Sequence, residues 1–225
     1  METKKQIRNK ILDIRSQMTL EVCNEKSALI IKHFVSTDYF IKARIIMLYA
    51  DFRNEVSTKE LFVISKEAGK MVCFPRISDE GMRFYYVEDL KDLVRSSYGI
   101  LEPDVLEVAG SVITGSEIVG SEIADSEITG SVITGSEIAG LEKAGYFALD
   151  ESVCMIMPGA AFDINFHRLG YGKGYYDRYL ADNLNITKVA VAYDFQVLEQ
   201  IPQDEFDIAC DCIITEKRIL EKCKR

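Results

Sequence analysis

Between Met157 and Leu180 the chain reads MPGAAFDINFHRLGYGKGYYDRYL, in which Gly170, Gly172 and Gly174 alternate with Tyr171 and Lys173. Glycines at every second position let backbone N–H groups approach a ligand without obstruction by a Cβ. The amphipathic pattern that begins near Tyr175 predicts a helix, whose N-terminus adds about half a positive charge. Arg168 and Lys173 supply two full charges. This combination suits the holding of an anion, phosphate above all. The spacing is not the GxxxxGK[ST] of a P-loop, nor the GxGxxG of a dinucleotide fold. A glycine-rich turn alone would not require Arg, Lys, two Tyr and Asp177 together.

Other residues admit chemistry with plainer alternatives beside it. Lys4 and Arg8 are four apart on one helical face, which suits either a ligand or solvent. Glu55 follows the apolar run ARIIMLYA at 43–50, so it sits in a loop after a strand. Asp207 reads as a turn residue or a ligand. Cys210 and Cys212 should point to one face of a strand, with no second ligand pair to make a zinc site. His33 and His167 are too distant in sequence for a local metal motif, and His167 beside Arg168 suits a pocket rim.

These residues need a scaffold, and the apolar pattern gives one. Ile7, Ile11, Leu12 and Ile14 recur at helical spacing, as do Val22, Leu29, Ile30 and Phe34 after Thr19, so two amphipathic helices open the chain. Short apolar runs at 43–50, 71–75, 82–87, 153–158, 188–193 and 212–215 are too short for helices and read as buried strands. Residues 57–69 between the first two have helix-starting chemistry at Ser57 and a stop at Gly69. The alternation predicts a single α/β domain over 1–225, a doubly wound and mostly parallel sheet with helices on both faces.

One segment departs from this pattern. Residues 110–139 repeat a five-residue unit six times, with Ser second and Ile fourth, as in GSEIV and GSEIA. Five matches neither the helical nor the strand period. The unit is similar to pentapeptide repeats, which coil into a four-sided β-helix, but six units make few turns of such a coil. We expect an insertion in the domain, a loop or a short β-coil. It carries five of the acids behind the formal net charge of −9 and no Lys or Arg.

The chain has 225 residues, 48% of them hydrophobic, enough to bury a core without disulfide or metal. Its net negative charge disfavours nonspecific grip on nucleic acid or an anionic membrane. No apolar run approaches the roughly 20 residues of a membrane span. Six cysteines without a secretory signal read as buried thiols, so a cytoplasmic protein is expected, and we expect it to be a monomer.

The residues PGAAFD at 158–163 with RLGYGKGYYDRYL at 168–180 resemble those of the 5-formyltetrahydrofolate cyclo-ligase family, also called methenyltetrahydrofolate synthetases. Weaker matches follow in order: Lys4, Arg8 and Arg15, Glu55 with Thr58, FPR at 74–76, GILEP at 99–103, Gln196, Ile201–Pro202, Asp207 and IITE at 213–216. Three positions depart: Phe166 stands where the family commonly has Gly, Phe206 where it often has His, and Ser57 where it usually has an acid. The resemblance implies ATP-dependent closure of 5-formyltetrahydrofolate to 5,10-methenyltetrahydrofolate through a phosphorylated formyl group, releasing ADP and phosphate, with Mg²⁺ as cofactor.

It further implies ATP contacts from Lys4, Arg8, Arg168, Leu169, Gly170, Tyr171, Gly172, Lys173, Gly174, Tyr175 and Tyr176, with Lys173, Arg168 and Tyr176 acting in catalysis. Folate contacts are implied for Glu55, Ala50, Tyr175 and Tyr176, and magnesium contacts for Asp177 and Asp207. Of the two adjacent tyrosines, one should pack and one should line the pocket. Two other readings keep the motif without the activity: a silent relative that binds nucleotide or folate as a regulator, and an interaction module built on the repeat.

Overall fold

The computed structural model describes residues 2–97, 99–104, 112–114, 117–119 and 152–222. Helix α1 (Lys4–Ser16) starts from a capping box in which Thr3 and Gln6 satisfy each other's backbone N–H groups. Helix α2 (Leu20–Val35) is capped by Thr19, as expected, and a short helix α3 (Asp38–Lys42) by Thr37. Strand β1 (Ile45–Met47), helix α4 (Lys59–Glu67) and strand β2 (Met71–Ser78) form a βαβ unit, and β2 turns back into β3 (Gly81–Tyr86). A two-stranded ribbon follows, β4 (Leu93–Arg95) with β5 (Leu101–Pro103). The two short strands β6 (Val112–Thr114) and β7 (Glu117–Val119) precede β8 (Val153–Met157). The chain then runs through β9 (Ala161–Asp163), β10 (Arg168–Leu169), helix α5 (Tyr175–Ala181), β11 (Thr187–Val191), β12 (Val197–Leu198), β13 (Cys212–Ile214) and β14 (Ile219–Glu221).

Among the described residues the main sheet has the order β14-β13-β11-β8-β1-β2-β3-β6-β7, parallel from β13 to β2 and antiparallel outside. Alternation along each strand divides the core in two. Ile46, Leu48, Cys154, Ile156, Val189 and Ile214 face Ile30, Ile31 and Phe34 of α2 and Leu61 of α4. Ile45, Met47, Val153, Met155, Met157 and Ile213 face Tyr179 and Leu180 of α5. Both faces of the parallel strands are therefore apolar, which is why they read as continuous hydrophobic runs. Helix α1 stands apart, packing Ile7 and Ile11 on Ala161, Leu169 and Ile201.

Two expectations need correction. Ser57 does not start α4: Thr58 precedes its first residue, and the Ser57 hydroxyl donates to Asp51 Oδ1 at 3.2 Å. Cys210 and Cys212 do not share a face. Cys210 lies before β13 begins, in the α5-side core, whereas Cys212 lies in the α2-side core. The repeat segment is described only at 112–114 and 117–119, within its first two units. They contribute β6 and β7, with Val112 and Ile113 paired to Tyr85 and Phe84 and Ile113 to Ile118. The other four units, 120–139, lie outside the described residues.

Strand β6 covers the outer edge of β3, whose backbone groups would otherwise invite pairing with another chain. Replacing 110–119 by a Gly/Ser linker should lower the melting temperature by several degrees and increase light scattering on heating. Unchanged melting with no added scattering would show that the edge needs no cover.

Candidate active site

The parallel strands run β2-β1-β8-β11-β13 across the sheet, so the chain winds outward in opposite directions from the β1/β8 pair. Such a reversal opens a crevice beyond the carboxyl ends of the two strands. Both informative stretches leave the sheet there. The chain after β1 carries Ala50, half-buried, and then Glu55; the chain after β8 runs through Pro158–Gly159 to β9, β10 and the glycine cradle.

Helix α1 ties these parts together with one cationic face, because positions 4, 8 and 15 fall on the same side of a helix. Lys4 Nζ bonds Asp204 Oδ2 at 2.8 Å and pairs with Asp207. Burial disfavours its ammonium, but the two carboxylates outweigh this and hold its pKa above the ordinary value. Arg8 Nε donates to the Gly170 carbonyl at 2.9 Å. Arg15, 2% exposed, donates from Nε to the Arg53 carbonyl at 3.1 Å and from Nη1 to the Tyr171 hydroxyl at 2.8 Å. Its guanidinium carbon lies 5.7 Å from the centre of the Tyr171 ring.

Glu55 is half-buried beside this arginine. Its Oε2 accepts from the Phe52 N–H at 2.9 Å and its Oε1 from the Tyr171 hydroxyl. Desolvation raises its pKa, outweighing the Tyr171 bond and the Arg15 charge that favour the carboxylate. The loop reaches this shape through two successive left-handed residues, Arg53 (φ 49°) and Asn54 (φ 58°). The Asn54 amide donates to the carbonyls of Arg15 and Met18, fixing the loop to the end of α1. Where the family usually places an acid, Ser57 leans on Asp51, which also accepts from the Thr58 N–H at 3.3 Å.

In the cradle a Cβ on Gly170 would lie 2.7 Å from Arg168 Nη1, and Gly172 takes φ 95°, where side chains are strained. Arg168 is 7% exposed and donates from Nη2 to both Asp177 oxygens at 2.9 Å. Lys173 is exposed and makes no ion pair among the described residues. Leu169 is buried in the α1 core, so its side chain is not available to a ligand. Tyr175 and Tyr176 are both half-buried on the α5-side core, so the division of one packing and one lining tyrosine is not clean. Tyr176 lies 5.4 Å from the Arg168 guanidinium and Tyr175 5.1 Å from that of Arg178. Burial and then the Glu55 charge push the Tyr176 hydroxyl pKa up, so the two residues share one electrostatic environment.

The sequence reading assigned no role to Asp163, yet this fully buried carboxylate organises the turn before Arg168. It accepts from the N–H groups of Asn165, His167 and Ile201 and approaches His167 Nδ1 at 3.0 Å. A buried acid at the end of an apolar strand was the available signal. Magnesium does not fit Asp177 and Asp207 as they stand. Asp177 is held by Arg168 and Asp207 by Lys4, and the described residues contain no group of three His, Cys, Asp or Glu placed to share an ion. No described helix is long and apolar enough to cross a membrane.

Comparison with known proteins identifies the family. The model of the 5-formyltetrahydrofolate cyclo-ligase family matches residues 1–119 and 130–216, so it runs through four of the six repeat units and omits only 120–129 between its two parts. A Schizosaccharomyces pombe protein named "Probable 5-formyltetrahydrofolate cyclo-ligase" is 25% identical over 96% of this chain and 97% of its own length. The Haemophilus influenzae 5-formyltetrahydrofolate cyclo-ligase is 24% identical, covering 92% and 94%. The solution structure of Aquifex aeolicus 5,10-methenyltetrahydrofolate synthetase superposes with a TM-score of 0.73 at 28% identity, covering 99% of this chain and 94% of that one.

The raised pKa of Glu55 has a stability consequence. The folded state favours its protonated form, so the stability this group contributes is complete below the ordinary value of 4.5 and is lost as pH rises through the folded value. Glu55→Gln imitates the protonated form. Its melting temperature should therefore gain on that of the wild type as pH rises from about 4 to about 7. A gap that is constant or shrinks over this range would show that the carboxyl is not held up by desolvation.

Proposed function

The chain belongs to the 5-formyltetrahydrofolate cyclo-ligase family and is an enzyme of that kind, and from this premise we propose how its own residues serve the ATP-dependent conversion of 5-formyltetrahydrofolate to 5,10-methenyltetrahydrofolate. In this reading ATP phosphorylates the formyl oxygen, N10 attacks the activated carbon, and phosphate leaves as the ring closes, with ADP as the other product. Such phosphoryl transfer needs positioning and charge neutralisation more than an enzyme nucleophile. The observation that carries the reading is the contact between Glu55 and Tyr171, which joins the loop after β1 to the glycine cradle across 116 residues of sequence.

Glu55, with Ala50 beside it, takes the pterin N–H groups. A carboxylate is suited to this because it accepts and cannot donate. The triphosphate lies along Gly170–Gly174, whose N–H groups face it. Arg8 and the unpaired Lys173 meet it first. Lys4 and Arg168 can contribute by sharing charge between phosphate and the aspartates that now hold them. Tyr176, between Arg168 and the pterin side, orients the transferring group. A divalent ion accompanying ATP would rest on phosphate and water, since Asp177 and Asp207 are already paired. Nothing in the site favours a silent binding protein over an enzyme.

Mixing the protein with 5-formyltetrahydrofolate, ATP and Mg²⁺ should produce the near-ultraviolet absorbance of the methenyl product. Lys173→Ala should slow turnover by roughly two to three orders of magnitude, since a cation aimed at developing phosphate charge contributes about 3 to 4 kcal/mol. The fold should be unaffected, because Lys173 is exposed. Turnover within about threefold of the wild type would place the reacting phosphate elsewhere.

A further inference from the structure

Tyr171 occupies an unusual position between the two subsites. The residue is 44% exposed, and the Arg15 guanidinium carbon lies 5.7 Å from its ring centre. Its hydroxyl donates to Glu55 Oε1 and accepts from Arg15 Nη1 at 2.8 Å. On either side the backbone is glycine. The Gly170 carbonyl is fixed by Arg8, and Gly172 has the positive φ of a pivot. The cradle is thus tethered to the opposite loop at the Tyr171 hydroxyl, directly through Glu55 and indirectly through Arg15, which also bonds the Arg53 carbonyl.

The direct contact uses the carboxylate assigned to the pterin. Phe52 N–H already occupies one lone pair of Oε2, and Tyr171 caps Oε1. Two of a carboxylate's roughly four acceptor sites are thus taken, and a ring presenting two adjacent N–H donors to both oxygens competes with Tyr171 for Oε1. We propose that Tyr171 is a positioning residue that couples the two substrates: the pterin displaces its hydroxyl from Glu55, and the freed cradle then closes on the nucleotide. The proposal rests on Glu55 being the folate contact. No bond other than hydrogen bonds is made or broken, and Arg15 keeps the Arg53 carbonyl and the neighbouring Glu55 charge throughout.

Two consequences follow from linkage. Folate and nucleotide must each tighten the other by the same factor, and folate binding alone must be weakened by the cost of displacing Tyr171. Titrations with 5-formyltetrahydrofolate and a non-hydrolysable ATP analogue, separately and together, measure both. In the wild type the coupling should be about fivefold or more. Tyr171→Phe should bind folate alone several-fold more tightly and reduce the coupling to about onefold. Tyr171→Phe added to Glu55→Gln should change the coupling no further.

A measurement on the unaltered protein stands independent of any variant's folding. Hydrogen exchange of the amides at 170–174 should speed up with folate alone and slow again when the nucleotide analogue is added. The proposal fails if Tyr171→Phe weakens folate binding or keeps the wild-type coupling, or if folate leaves exchange at 170–174 unchanged. Wild-type protein that binds the nucleotide analogue but not the folate would sink the functional reading itself, and the coupling with it.

Discussion

A guanidinium cannot be buried without acceptors, because an unpaired charge in a protein interior costs several kcal/mol. Arg15 is almost wholly buried, and its acceptors come from the Arg53 carbonyl after β1 and the Tyr171 hydroxyl in the cradle, with the Glu55 carboxylate adding its charge. Satisfying this one side chain therefore requires helix α1, the loop after β1 and the glycine run to meet at one point. The left-handed pair Arg53–Asn54 is part of the same requirement, since it turns the loop so that a carbonyl faces Arg15 and the Asn54 amide reaches the end of α1. The residues assigned to folate and to nucleotide are brought together by a structural need that exists before either ligand arrives.

The sheet supplies the place for that meeting. Reversal of strand order between β1 and β8 leaves a gap between the segments that leave them, and α1 lies over it as a strap, bonded at Lys4, Arg8 and Arg15. Between Lys4 and Arg15 the helix advances about 16 Å, enough to span from the 204–207 turn to the loop after β1. This concentrates cations on one crevice of a chain whose net charge is −9. Local arrangement, not overall balance, makes the site attractive to anions.

Much of this was legible in the sequence where the physics is local or strongly patterned. Five of the six apolar runs became the parallel strands, which are hydrophobic on both faces because both are covered, and the sixth, 82–87, became the antiparallel β3. Thr19 could be read as a cap because its hydroxyl bonds three residues ahead. Lys4, Arg8, Glu55 and the cradle stand out by residue type and spacing, and the structure sets them along α1 and the segments it bonds. What escaped was whatever depends on partners distant in sequence. Strands β9, β10 and β12 are two or three residues long, and their pairing is organised around Asp163, which gathers N–H groups from as far as Ile201. Ser57 lost its expected capping role to a tertiary arrangement in which Asp51 takes both its hydroxyl and the Thr58 N–H. Cys210 escaped the alternation rule because the strand starts after it.

Phe166 illustrates how a departure from a family pattern can be absorbed. The family commonly has Gly here, and the structure gives the reason: the backbone takes φ 70°, where a bulky residue costs of order 1 to 3 kcal/mol. The conformation persists because both of its peptide groups are engaged. Its N–H donates to the Asp163 carbonyl at 2.9 Å, and its carbonyl accepts from Cys210 N–H at 2.8 Å. Its ring packs on the α5-side core, with Lys222 Nζ 5.9 Å from the ring centre. Fully burying an aromatic ring contributes on the order of 1.5 to 3 kcal/mol, and Phe166 is half-buried, so its packing recovers part of the strain. The side chain thus offsets part of the cost it creates at the turn. Arg168, two residues on, keeps its bonds to Asp177 and its place in the cradle, because the Asp163 network that fixes the turn is built from backbone N–H groups and does not depend on which side chain stands at 166.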